Sequence, residues 1–143
     1  TMLTHHLHNA IKDIVHLIEQ TNKDIEDIKL AKHTQIFERT ALKNDLIQSF
    51  EYKKSLLDHE LMKMVKENNN RPLEELLDDE QKELLALMKA KLSELKLCNK
   101  QYAKFVVTIS QFYNSLLDSI FPRDMEGYKM AQHKPASLLK IRA

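Results

Sequence analysis

One uninterrupted apolar repeat constrains this chain more than anything else in it. Leu85, Met88, Leu92, Leu95, Asn99, Tyr102, Val106, Ile109, Tyr113, Leu116 and Ile120 recur at alternating steps of three and four. That is the spacing of one helix face. At 1.5 Å per residue the stripe runs roughly 50 Å, too long to be buried inside a compact globule of this size. It needs other long helices beside it, from this chain or from a partner. The repeat therefore points to an elongated helical protein whose work is binding.

The rest of the chain agrees with an all-helical reading. There is one Gly, there are three Pro, and no Trp is present. Two of the prolines, Pro122 and Pro135, come only after the long repeat. No β-branched alternation bounded by turn residues is visible. Near the start, Leu7, Ile11, Ile14, Ile18, Thr21, Ile25 and Ile28 step by four and three, which predicts a first helix from about Thr4 to Lys29. Thr1, ahead of Met2, reads as an expression remnant without functional weight. A break is expected at Lys32 to Thr34, with Thr34 capping a second helix that runs to about Glu67. Its apolar positions, expected to face the core, are Ile36, Phe37, Ala41, Leu46, Phe50, Leu57, Leu61, Met64 and Val65, and their phase slips once, between Ala41 and Leu46. Asn68-Asn69-Asn70-Arg71-Pro72 ends it, because Asn favours turns and Pro72 disfavours helix at Arg71.

Leu73 to Leu77 suits one or two helical turns. Asp78 with Gln81 three residues on is a capping-box pattern that opens the third long helix, which Pro122 stops. The acids around Asp78 belong to a solvated helix start. The expected architecture is all-α: an elongated antiparallel bundle of three long helices with a short helical segment, over residues 1–122. Residues 123–143 form a separate tail expected to be flexible. Its five bases, Arg123, Lys129, Lys134, Lys140 and Arg142, stand against Asp124 and Glu126. It closes on the apolar run Leu138, Leu139, Ile141, interrupted by Lys140.

Charge and composition exclude several classes. The net charge is +1, with 22 basic and 21 acidic residues, so the basic excess of a nucleic-acid binder is missing. No run approaches the roughly 20 apolar residues of a membrane span, and no secretory signal is readable. The single Cys98 suits a reducing compartment, so a cytoplasmic location is expected. One Gly excludes phosphate-binding loops, and there is no Cys pair for zinc. His5, His6 and His8 cluster at a solvated start, and His16, His33, His59 and His133 are isolated. We therefore expect no enzyme, no cofactor and no metal. Asn99, the one amide in the long stripe, is either a register-fixing core residue or a binding residue. Six methionines give weak support to an adaptable groove.

Three local patterns carry a resemblance. The second helix has Lys43 followed three residues later by Leu46. The long helix has Leu92, Leu95 and Asn99 in a Leu-x-x-Leu-Asn-x-x-Asn-like segment, with Lys96 at the place of the first Asn. After Pro122 come Gly127, Tyr128 and the basic-apolar Leu139-Lys140-Ile141. The layout resembles the FlgN family of flagellar export chaperones over nearly the whole chain, with the difference that Tyr128 follows its Gly. The resemblance implies a chaperone that holds the hook-associated (hook–filament junction) proteins. Such a chaperone masks their self-associating C-terminal segments and delivers them to the flagellar type III export gate.

On that reading the partner-binding residues are Tyr102, Phe105, Ile109, Phe112 and Leu116, joined by Tyr128, Leu138, Leu139 and Ile141 of the tail. Tyr102, Ile109 and Leu116 are in phase with the core stripe and are expected to hold the helices together. Phe105 and Phe112, one position off it, are expected on a second face. Neither nucleic acid nor membrane insertion is expected, and the protein is a monomer or a homodimer. The competing reading is a structural coiled coil that dimerises through its long helices and has no client.

Overall fold

The first helix is the most amphipathic element of the chain and forms the middle of the fold. The computed structural model describes residues 1–120. These form α1 (Met2–Lys29), α2 (His33–Glu67), α3 (Leu73–Leu76) and α4 (Asp79–Ile120), and no strand occurs among them. The expected all-α class is observed. The backbones of α2 and α4 each pack along α1 and approach it much more closely than they approach each other. The tail expectations for 123–143 lie outside the described residues.

Helix α1 earns its position by burying two apolar lines. Leu3, Leu7, Ala10, Ile14, Leu17, Thr21, Asp24 and Ile28 are buried along one line of it, stepping by four and three without a break. Ile11, Ile18 and Ile25 flank that line and are buried too. One α1 stripe was expected; the second, through Leu3, Ala10, Leu17 and Asp24, arises because α1 has a neighbour on each side. A leucine or isoleucine buried here is worth about 1.5–3 kcal/mol, so this helix supplies most of the apolar stabilisation.

Chain direction follows from the contacts. The Gln81 side-chain amide reaches Thr1 Oγ1 at 3.4 Å, and Cys98 Sγ meets Asn22 Oδ1 at 3.5 Å. Helix α4 therefore runs parallel to α1, while α2 returns antiparallel to both. At 28, 35 and 42 residues, α1, α2 and α4 are about 42, 52 and 63 Å long.

The helix ends differ in part from expectation. α1 begins at Met2, and Thr1 is its cap, accepting from the Thr4 amide at 3.4 Å, so Thr1 has a structural place. Thr34 does not cap α2. The cap position lies two residues earlier, at Lys32, and carries no side-chain cap bond. What shapes this corner is the end of α1: Ala31 has φ 59°, Lys32 N–H bonds Asp27 O at 2.8 Å and Ala31 N–H bonds Ile28 O at 3.2 Å. That is a Schellman turn with alanine at the left-handed position. Asn69 and Asn70 take the same region after α2, at φ 58° and 59°, as their residue type favours. The capping box at α4 is complete: Gln81 N–H donates to Asp78 Oδ1 at 2.8 Å, and Asp78 N–H donates to Gln81 Oε1 at 3.1 Å.

The phase slip expected in α2 is absent. Ile36, Lys43, Phe50 and Leu57 are its buried residues, seven apart. Lys43 occupies the core position that an apolar count leaves empty. Phe37 and Ala41, counted with the apolar face, lie exposed.

The left-handed alanine gives a direct test. Ala31→Gly removes a Cβ clash worth about 1–2 kcal/mol and returns part of it as unfolded-state entropy. The variant should gain about 0.5–1 kcal/mol, read as a higher urea midpoint at unchanged slope.

Candidate functional site

Two features stand apart from ordinary helix packing, and both involve residues singled out from the sequence. The first is a buried charge network between α1 and α2. Lys43, 1% exposed, places Nζ 2.8 Å from Asp24 Oδ2. Arg39 bonds Asp24 Oδ1 at 2.8 Å and also pairs with Asp27. Further along the seam, Lys53 and Ser49 both donate to Asp13 Oδ2, at 2.8 and 2.7 Å. All the acids lie on α1 and all the bases on α2. Burial works against the Arg39 charge, yet the hydrogen bonds to Asp24 and Asp27 outweigh it and raise its pKa.

Tyr102 closes this network from α4. Lys43 Nζ sits 5.3 Å from the centre of its ring, at cation–π distance. Burial, and then the nearby Asp24 charge, push the phenol up from 10.0 to about 12. Tyr102 is thus a core residue that also borders the surface described next.

The second feature is the free end of α4. Lys29, the last residue of α1, lies 5.1 Å over the Phe105 ring. Phe105, Val106 and Ile109 are half-buried against Ile25, Ile28 and Ile36. The first turn of α2 then covers one more turn of α4. Here Ile28, Ile36, Phe37, Tyr102, Val106 and Ile109 line a shallow apolar groove of about 120 Å³.

Beyond Phe105, α4 continues for roughly 20 Å. On its last turns Phe112 is 64% exposed, Leu116 44% and Ile120 63%, with Tyr113 exposed beside them and Phe37 64% exposed across the groove. The Phe112 and Tyr113 rings meet edge to face at 6.0 Å. A concentration of large apolar side chains like this marks an interaction surface.

Of the expected partner-binding residues, the structure brings Tyr102, Phe105 and Ile109 together against α1 and α2, and leaves Phe112 and Leu116 on the overhang. Leu116 therefore does not hold the helices together as its phase predicted, because α1 has ended before α4 reaches it. Phe105 lies under Lys29 instead of on a separate open face. Tyr128, Leu138, Leu139 and Ile141 lie outside the described residues. Phe37, Tyr113 and Ile120 belong to the exposed surface and were not among the expected site residues. Tyr113 and Ile120 were visible in the long repeat, whereas Phe37 was hidden by its assignment to the α2 core.

Burial, and then the Glu94 charge, raise the Cys98 pKa, which favours the protonated thiol over the nucleophilic thiolate. His5 shares a 3.0 Å hydrogen bond with Asn9. Among the described residues no group of three His, Cys, Asp or Glu is placed to hold a metal ion. No described helix is long and apolar enough to cross a membrane. Asn99 is half-buried on α4. Met62 is exposed and lines a second open groove with Leu61, Val65 and Leu73 at the opposite end, about 250 Å³ in volume. Comparison with known proteins finds no matching family model, no curated relative and no solved structure of similar fold.

Two outcomes follow from the network. Asp24→Ala leaves Lys43 buried without its carboxylate and should cost about 3–5 kcal/mol, whereas Asp24→Leu with Lys43→Met should recover most of that loss in chemical denaturation. Tyr102 has its pKa raised on folding, so its contribution is complete below pH 10 and is lost as pH rises toward about 12. Tyrosinate absorbance should therefore show a late-titrating phenol that vanishes in Tyr102→Phe.

Proposed function

We propose that this chain is an export chaperone of the FlgN kind, which holds hook-associated proteins in the cytoplasm and delivers them to the flagellar type III export gate. The observation that carries the reading is the apolar overhang of α4. Phe112, Tyr113, Leu116 and Ile120 recur at helical spacing and are exposed together on a chain with no described membrane-spanning helix. An amphipathic helix from a client, with anchors one turn apart, is the natural complement of such a track. The chain serves as an elongated antiparallel bundle whose third long helix is the client-binding element. Lys43, part of the resemblance, acts here as a structural residue that positions Tyr102 and hence the groove.

Magnitudes define how much surface is needed. Covering four half-exposed side chains is worth about 3–6 kcal/mol, taking roughly half of 1.5–3 kcal/mol each. Association itself costs about 4–15 kcal/mol. The overhang alone therefore does not give useful affinity. The adjoining groove of Ile28, Ile36, Val106 and Ile109 has to contribute. Tyr128, Leu138, Leu139 and Ile141 of the tail then clamp the bound client or dock on the gate. The competing reading, a client-free coiled-coil dimer, would use the same face.

Calorimetric titration of the full chain with the C-terminal segment of a hook–filament junction protein tests the proposal. One-to-one binding at micromolar affinity or tighter is expected, weakened roughly tenfold by Phe112→Ala, a loss of about 1.4 kcal/mol. Absence of heat, together with light scattering that reports a tight dimer, would overturn it in favour of the coiled coil.

A further inference from the structure

The apolar end of α4 lies where the chain continues past Ile120, and this sets up a competition. Phe37, Phe112, Tyr113, Leu116 and Ile120 are exposed there, and the 23 residues that follow them end on Leu138, Leu139 and Ile141. We infer that this apolar run of the chain's own C-terminal segment occupies the α4 end when no partner is bound, and that an incoming amphipathic helix displaces it. The inference rests on the α4 end being a binding face, as proposed above, and adds its regulation.

Reach and charge both favour this occupant. Seventeen residues separate Ile120 from Leu138. Extended at about 3.3 Å each they span up to roughly 55 Å, against about 17 Å from Ile120 back to Ile109. A tether of this length supplies an effective concentration on the order of millimolar, so a weak apolar contact is populated without help from a second molecule. Asp118 is the only charged residue between Val107 and Ile120, while the segment holds Lys134, Lys140 and Arg142 around its apolar run. The charges attract mildly and do not repel.

Paramagnetic relaxation in the full chain tests this with no client present. A nitroxide is placed at Ser137→Cys in a Cys98→Ala background, and amide broadening is mapped. The expected result is broadening at Ile36, Phe37 and Ile109, none at Leu61 to Leu73, and its loss when Leu138, Leu139 and Ile141 are all changed to Ser. That triple variant should also raise the emission of the apolar dye anilinonaphthalene sulfonate. Broadening that is absent, spread to both ends, or retained in the triple variant would overturn the inference. So would broadening seen between separately labelled copies in a mixture, which would assign the face to a second molecule. Calorimetry with the client segment fails or succeeds independently of these results.

Discussion

The pairing of Lys43 with Asp24 is the interaction on which the rest of the arrangement depends. Both groups are fully enclosed, one on each antiparallel helix, with their charged atoms 2.8 Å apart. Moving an ion pair out of water costs several kcal/mol per ion, so the pair adds little net stability. Its effect is on alternatives. Sliding α2 by one turn along α1 would set Lys43 against Gln20 and Thr21 in one direction, or carry Asp24 against Leu46 and Ile47 in the other, and breaks the pair either way. A single buried polar position that fixes register is a known device of helical seams. Arg39 and Lys53 extend the same rule along the seam, with Asp27 and Asp13 as their partners.

Register then determines where α4 becomes exposed. Tyr102 packs its ring over Lys43, which fixes α4 against the far end of α1. From that point α1 has less than two turns left, and the first turn of α2 covers only as far as Ser110. Everything on α4 past that residue projects beyond its neighbours. The apolar repeat nevertheless continues, through Tyr113, Leu116 and Ile120. A helix whose apolar face outlasts its cover provides both the rigidity and the surface needed to receive another helix. The groove of Ile28, Ile36, Val106 and Ile109 gives that surface a floor.

Much of this was legible in the sequence, and the exceptions have physical causes. The capping box at Asp78 and Gln81, the Asn turn after α2 and the stop at Lys29 are local, and local chemistry sets them. The second α1 line was missed because Ala10 and Asp24 carry little hydropathy, although burial makes them as central as Leu7. The slip read in α2 came from treating Lys43 as a surface residue. A lysine enters a core only when a carboxylate on another helix receives it, and Asp24 lies nineteen positions away. The cap placed at Thr34 lost to the Schellman turn at Ala31, which left no room for it. Among the site residues, the sequence marked Phe112 and Leu116 as members of the long helix without indicating that their cover had run out.

Period, breakers and caps were enough to make the chain all-α and to set its helix boundaries to within a residue or two, because helix formation depends on neighbours three and four positions apart. Those same features gave the apolar repeat its full length. They could not say how much of it is covered, since coverage depends on where two other helices end in space. Only the tertiary structure decided that Tyr102 is a core residue against a buried lysine, that Phe105 lies beneath Lys29, and that α1 and α2 leave the face from Phe112 to Ile120 uncovered. The physical reason is that burial belongs to the register between helices, and register here is set by a charge pair that no single helix contains.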